Sequence, residues 1–215
     1  MPKISEEHRA EKRQQIIAAT LRCVERDGFH KTTMAAVVKE SGLSAGSVYT
    51  YFRGKNDIIR AIAESGLTTI AEAITRFTPE AGSDIAAPPP ELAIEAATQH
   101  LLDLSEELGV DLPKIALQTW AEAARDPEVR ELMAPEARRI RGAWRTYAEA
   151  AIDAGRFRKD ADPERIAMVL TGLLPGFILQ RLMLGDVTPK SFAAGLTDLL
   201  DQPGYAEGAA QRATQ

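Results

Sequence analysis

The stretch SGLSAGSVYTYFRGK, residues 41–55, decides the fold of this chain. Gly42 supplies the left-handed backbone that a tight connection between two helices requires, and Ser44 can cap the helix that follows. In that helix Val48 and Phe52 lie four positions apart, so both face inward. The other side chains are small or polar, and we expect the exposed side of this unit to contact something outside the chain.

Two predicted helices precede this stretch and form a three-helix unit with it. The first covers residues 5–27, with apolar side chains at helical spacing, and Gly28 ends it. The second begins after Thr33, whose hydroxyl can accept a hydrogen bond as an N-cap. The resulting pattern is helix, short turn, helix, in which the second helix of the pair can enter the major groove of DNA.

The rest of the chain predicts further helices and no convincing strand. A long fourth helix covers residues 55–77, and a flexible linker rich in proline and glycine follows at residues 78–90. We therefore expect an all-α protein with an N-terminal three-helix domain, residues 1–54, and a larger helical domain, residues 55–205. The helical patterns after the linker cover residues 91–109, 112–125, 127–154, 163–184 and 189–200.

The charge of the chain is divided unevenly along its length. The whole chain of 215 residues carries a net charge of −5. Residues 1–60 hold 11 Lys and Arg against 7 Asp and Glu, a net charge of +4, and the remainder carries −9. A basic N-terminal part fits a polyanionic partner, and an acidic remainder needs a different one.

Cysteine and histidine usage points to a protein without a metal or other cofactor. The single cysteine, Cys23, cannot form an intrachain disulfide, and the three histidines have no metal-binding spacing with it. The N-terminus lacks the apolar core of a signal peptide, and no uninterrupted apolar run approaches the roughly 18 residues of a spanning helix. We expect a cytoplasmic protein.

Four short segments together carry a resemblance to a known family. They are TTMAAVV at residues 32–38, GLS at 42–44, VYTYF at 48–52 and KNDI at 55–58. This set resembles the N-terminal domain of tetracycline-repressor-like (TetR-family) transcriptional regulators. The resemblance is close over roughly the first quarter of the chain, whereas the remainder agrees with the family in length and helical architecture only.

The resemblance implies which residues of the helix-turn-helix touch DNA. Ala45, Gly46, Ser47 and Thr50 would face base edges, with Ser44 capping the helix at its edge. Because these side chains are small, we expect methyl contacts, hydroxyl hydrogen bonds and shape readout instead of bidentate pairs with guanine. The residues expected to hold phosphates are Thr33, Tyr49, Tyr51 and Lys55, the last aided by a helix N-terminus.

The resemblance also implies a function. We expect a ligand-responsive regulator, a repressor, that binds a palindromic double-stranded DNA operator as a homodimer. Two-fold symmetry would set two recognition helices about 34–36 Å apart. A small apolar or amphipathic effector in residues 55–205 would release the DNA by shifting the fourth helix, provided that it binds the two arrangements with different affinity.

Aromatic and apolar residues of the C-terminal domain are candidates for the effector site and the dimer interface. Pro175 should kink its helix, which could make room for a ligand or shape the dimer contact. The candidate effector residues are Gln118, Trp120, Met133, Trp144, Tyr147 and Phe177. The candidate interface residues, on a helix that is apolar on all sides and on the last helix, are Leu170, Leu174, Phe177, Ile178, Arg181, Phe192, Leu196 and Leu199.

Two other classes of function remain as alternatives. The segment GLSAG, residues 42–46, fits the G-x-S-x-G elbow of α/β-hydrolases, which would make Ser44 the nucleophile of a small esterase-like enzyme. That elbow needs a strand before it and a histidine late in the chain, yet the last histidine is His100. The second alternative is a protein-interaction module whose basic N-terminal face binds an acidic protein.

Overall fold

The computed structural model describes residues 6–79 and 85–200, without the side chains of residues 63–69. Within these ranges the regular secondary structure is entirely α-helical, which confirms the predicted fold class. The expected helix start at Ser5, part of the linker (80–84) and the end of the C-terminal domain lie outside the described residues. The helices are α1 Glu6–Asp27, α2 Met34–Ser41, α3 Ala45–Tyr51, α4 Lys55–Thr75, α5 Pro90–Leu108, α6 Leu112–Arg125, α7 Pro127–Asp153, α8 Pro163–Leu184 and α9 Pro189–Leu200.

The ends of α2 and α3 form as local sequence predicts. The Thr33 hydroxyl accepts a hydrogen bond from the Ala36 N–H at 3.2 Å, and the Ser44 hydroxyl accepts one from the Ser47 N–H at 3.2 Å. Between the two helices Gly42 has a φ of 67°, a conformation that side chains with a Cβ rarely adopt. These three local features set the turn between the helices.

The core of the three-helix domain extends into the C-terminal domain. Val48 and Phe52 are buried, as predicted, against apolar residues of α1 and the start of α4. Val110, Ile115 and Val129, which lie around α6 and the start of α7, belong to the same cluster. The two parts of the molecule therefore share apolar packing.

The C-terminal core forms around α7 and α8. Trp144 and Tyr147 of α7 are buried and meet edge to face, with ring centroids 5.6 Å apart. Phe177 of α8 contacts Phe192 of α9, also at 5.6 Å. Because α4 packs along α7, this core reaches the helix that begins beside the three-helix domain.

The long helix α8 is not buried on all sides in the single chain. One face lies in the C-terminal core, while Met168, Val169, Leu179, Met183 and Leu184 are exposed. By length and composition alone α8 could cross a membrane, but a core helix of a globular protein passes the same test. The helix continues through Pro175 to Leu184.

Four of the eight predicted interface residues lie in the core of the single chain. Leu170, Leu174, Phe177 and Ile178 are buried in the core of their own chain, so little of their surface is left for a partner. The sequence could not separate the faces of α8, because apolar residues surround the whole helix. The other candidates also bind within the chain or remain exposed: Phe192 and Leu196 pack against the core, Arg181 donates to the Val187 carbonyl at 3.2 Å, and Leu199 is exposed.

Candidate functional site

The recognition helix α3 presents a small, exposed face. Ala45, Gly46 and Thr50 are exposed, Ser47 is partly exposed, and the Tyr49 side chain is 51% exposed. The Thr50 hydroxyl donates to the Gly46 carbonyl at 2.8 Å, which leaves its oxygen free to accept from outside. This face can read an external surface by close fit and by hydroxyl hydrogen bonds.

The hydroxyls that cap α2 and α3 also face outward. Thr33 and Ser44 are exposed, and each oxygen accepts a backbone hydrogen bond. Since a hydroxyl that accepts can still donate, both groups retain an O–H for an anionic oxygen. Tyr51, by contrast, is half-buried against the core of the three-helix domain.

Ionic and polar contacts brace α2 against α1. The Glu40 carboxylate accepts from Arg22 at 2.8 Å and from Arg26 at 3.1 Å. These two guanidinium groups lower the pKa of Glu40 below its ordinary value. The Gln15 side chain donates to the Ser41 carbonyl at 2.8 Å, at the end of α2. This brace, formed by Glu40 and Ser41 of α2 with side chains of α1, holds α2 at a defined angle to α1.

In the single chain the Lys55 side chain, for which a phosphate contact is expected, is engaged with the protein itself. Its ammonium donates to the Phe29 carbonyl and lies 4.5 Å from the centroid of the Phe29 ring. Burial lowers the pKa of this ammonium, whereas the charge of Glu122 opposes that shift. Sequence position put Lys55 at the first residue of α4, but tertiary packing turns its side chain inward.

An exposed cation that the sequence analysis overlooked stands beside α3. Arg53 follows the recognition helix by two residues and is exposed. Its backbone N–H donates to the Asp57 carboxylate at 3.0 Å, which fixes the start of α4. The feature of the sequence that could have indicated it is an arginine in the short connection between α3 and α4. Arg53 is a better candidate for a phosphate contact than Lys55.

A cavity of about 280 Å³ lies where the two parts of the molecule meet. Its wall includes Trp120, Met133 and Trp144, three of the six predicted effector residues. Residues of α1, of the α1–α2 connection and of α4 complete the wall from the other side, Lys55 among them. The cavity therefore touches the three-helix domain directly, which the sequence did not predict.

The other predicted effector residues lie outside this cavity. The Tyr147 hydroxyl donates to the Pro88 carbonyl at 2.7 Å and anchors the chain before α5. Phe177 is fully buried against Phe192. The Gln118 side-chain oxygen is buried without a hydrogen-bond partner among the described residues, but it does not line the cavity. Helical spacing placed these residues near the site without showing which way each one points.

Comparison with known proteins identifies two family models along the chain. Residues 16–62 match the model for bacterial regulatory proteins of the tetR family. Residues 90–202, more than half of the chain, match the model for the C-terminal part of BetI-type transcriptional repressors. The two matches cover the helix-turn-helix and nearly all of the described C-terminal helices.

Individual proteins show the same similarity. The HTH-type transcriptional regulator BetI of Serratia proteamaculans (strain 568) is 26% identical over 186 residues, which cover 86% of this chain and 88% of that protein. The structure of a SmeT–triclosan complex matches with a TM-score of 0.70 at 22% identity, covering 90% of this chain and 96% of that one. FadR from Bacillus subtilis in complex with stearoyl-CoA matches with a TM-score of 0.69 at 17% identity, covering 87% and 96%. The two structures share the fold of this chain.

Proposed function

Because the chain belongs to the tetR family of bacterial regulatory proteins, we propose that it is a repressor that binds a palindromic operator as a homodimer. A small apolar or amphipathic effector then releases it from the DNA. The observation that carries this proposal is the exposed face of α3, which two capped helix ends and the Glu40 brace hold in place. The protein acts in the cytoplasm, where its operator is.

Family membership also decides between the classes of function. Proteins of this family are transcriptional regulators and not enzymes, so the esterase alternative is wrong. The geometry agrees, since helix α2 and not a strand precedes Ser44, and its hydroxyl caps α3. The Ser44 hydroxyl has a structural role, and we retain an external contact for its remaining O–H.

The proposed DNA contacts come from α3 and the helix ends beside it. Ala45, Gly46, Ser47 and Thr50 face the bases, while Thr33, Ser44, Tyr49 and Arg53 contact phosphates and sugars. We assign DNA binding to residues 1–54 and effector binding with dimerisation to residues 55–205. Tyr51 supports the recognition helix from within, because its side chain packs against the core of the three-helix domain.

The homodimer is proposed from the uncovered side of α8. Met168, Gly172, Leu179 and Met183 recur at helical spacing on its exposed face. A Cβ added at Gly172 would meet nothing within 4 Å, so a second helix can approach the backbone closely there. Leu199 of α9 is also exposed and is a further apolar candidate for this contact. A second copy of the chain would cover the exposed face of α8 through the same face, as two-fold symmetry requires.

Effector binding is proposed from the cavity at the contact between the two parts. SmeT was solved with triclosan, an apolar molecule, and FadR with stearoyl-CoA, which carries a long apolar acyl chain. The cavity wall of this chain is also mostly apolar and includes two tryptophans. A molecule bound there would contact α1 and α4, so its binding can change the position of the recognition helix.

The test is binding to the DNA upstream of the gene for this protein. We expect specific binding that weakens steeply with salt, because the protein displaces counterions from several phosphates. Fluorescence anisotropy at several salt concentrations measures the affinity, and footprinting shows whether the protected site is palindromic. The absence of salt-dependent binding to this DNA would contradict the proposal, as would equal affinity for unrelated sequences.

A further inference from the structure

The polar groups of the cavity wall are few. The threonines that line it, Thr20, Thr32, Thr119 and Thr171, each donate their hydroxyl to a backbone carbonyl at 2.7–2.9 Å. Their O–H groups are therefore already used within the chain. Lys55 carries the only formal charge among the described residues of the wall. Of its three N–H donors, one reaches the Phe29 carbonyl, and the others remain for a ligand.

Lys55 lacks an anionic partner in the part of the chain that the structure describes. No carboxylate there lies within ion-pair distance of its ammonium, and Glu122, the carboxylate that influences it, pairs instead with Arg125 at 2.6 Å. A partly buried ammonium on a residue that lines an apolar cavity is costly unless an anion pairs with it. A cationic ligand would find no carboxylate among the described lining residues.

We propose that the effector is an amphipathic monoanion, a medium-chain carboxylate whose head group binds the Lys55 ammonium and whose chain contacts Trp120 and Trp144. The cavity volume of about 280 Å³ sets the size. At roughly 30 Å³ for each water-sized group, it corresponds to a ligand with on the order of ten non-hydrogen atoms, the size range of C8 to C10 carboxylates. This inference deepens the proposed function, because it names the class of effector at the same site.

The position of Lys55 also indicates how such a ligand acts. Lys55 is the first residue of α4 and follows α3 by only three residues. Its bond to the Phe29 carbonyl ties the start of α4 to the connection between α1 and α2. A carboxylate is a stronger acceptor for an ammonium than a carbonyl, so a ligand bound by the two free donors would draw the ammonium away from the Phe29 carbonyl. The tie between α4 and the DNA-binding domain would then be weakened.

Tryptophan fluorescence of the full chain tests the class of ligand without any DNA. The two tryptophans of the chain both line the cavity, so their emission reports its occupancy. We expect decanoate, below its micellar concentration, to bind roughly tenfold to a hundredfold more tightly than decanol, and decyltrimethylammonium to bind most weakly. Equal affinity for decanoate and decanol, or tighter binding of the cation, would overturn the proposal.

Variants of Lys55 test the residue. In Lys55→Met the affinity for decanoate should fall to that for decanol, whereas Lys55→Arg should retain most of it. Lys31→Met, which removes an exposed lysine outside the cavity, is the matched control. Unchanged decanoate affinity in Lys55→Met would overturn the assignment. If Lys55→Met does not fold, Lys55→Arg and the three ligands on the wild-type chain still decide the question.

A parallel DNA measurement separates this inference from the proposed function. Decanoate should lower the affinity of the wild-type protein for its operator and should not affect that of Lys55→Met. Decanoate that binds tightly to a protein without operator binding would contradict the repressor function and leave the ligand class standing. A protein that binds the operator but prefers decanol or the cation would contradict the ligand class and leave the repressor function standing.

Discussion

At the scale of single residues, Thr50 of the recognition surface has a hydroxyl whose hydrogen atom is already committed. Thr50 donates to the Gly46 carbonyl, so toward DNA it offers an acceptor oxygen and a methyl group. Such a residue can accept from the amino group of adenine or cytosine, or contact the methyl group of thymine. We therefore expect Thr50 to contribute to the choice among DNA sequences and not to the overall affinity.

The first prediction concerns this choice. Thr50→Val keeps the shape and the methyl contact but removes the acceptor, so discrimination among operator variants should change by about 1 kcal/mol at one base pair. Anisotropy with duplexes that differ at single positions measures it. Thr75→Val is the control, because Thr75 makes the same type of bond, to the Ala71 carbonyl at 2.9 Å, in α4. A uniform loss of affinity across all duplexes would contradict a reading role for Thr50.

Glu40 leads to a prediction about pH. The two arginines lower its pKa in the folded state, so the stabilisation is fully present above the ordinary value of 4.5 and is lost as the pH falls through the folded-state pKa. The melting temperature of Glu40→Gln should therefore lie below that of the wild type at neutral pH, and the gap should narrow below about pH 4.5. Calorimetry at several pH values measures the gap.

The control for this prediction is Glu107→Gln, which replaces an exposed glutamate with no ion pair in the described part of the chain. We expect a smaller change in melting temperature for this variant at neutral pH. A gap for Glu40→Gln that stays constant from neutral pH to about pH 3 would show that the brace contributes nothing through its charge.

At the scale of elements, two glycines near the recognition helix differ in their backbone conformation. One lies in the turn between α2 and α3, and the other lies within α3. Gly42 has a positive φ and Gly46 lies within α3, and a Cβ at either position would meet nothing within 4 Å. The two positions therefore differ in backbone conformation and not in the space available for a side chain. The same substitution should have opposite effects at the two positions.

The third prediction is this difference in sign. Gly42→Ala should destabilise the chain by about 1 kcal/mol, because alanine disfavours the left-handed region. Gly46→Ala should stabilise it by roughly 0.5–1 kcal/mol, since alanine loses less conformational freedom in a helix. Urea unfolding of both variants measures the changes, and effects of the same sign would contradict this view of the turn.

At the scale of the whole molecule, the apolar face of α8 distinguishes a dimer from a monomer. The fourth prediction is that Met183→Asp yields a folded monomer, because Met183 is 74% exposed in the single chain and would be buried only by a partner. Leu92→Asp, at a 51% exposed position on α5, should leave the mass of a dimer unchanged. Light scattering with circular dichroism measures both. A wild-type protein that is monomeric at micromolar concentration would contradict the dimer.

The cavity is also a property of the whole molecule. It exists because α6 and the start of α7 pack against the three-helix domain, so that apolar residues from both parts enclose one space. A ligand there would contact α1 and the start of α4, which pack directly against the recognition helix, so no other part of the protein has to transmit the effect. This arrangement would make the start of α4 the place where effector binding and DNA binding meet.

The sequence by itself determined the helices and their ends. The pattern of apolar residues gave the fold class, and Thr33, Gly42 and Ser44 marked the turn correctly, because caps and turns depend on groups within a few residues of one another. The tertiary structure alone decided which way Lys55 points and which face of α8 is covered. A lysine at a helix start can face either solvent or a neighbouring carbonyl, and a helix that is apolar all round has no preferred side until other elements pack against it.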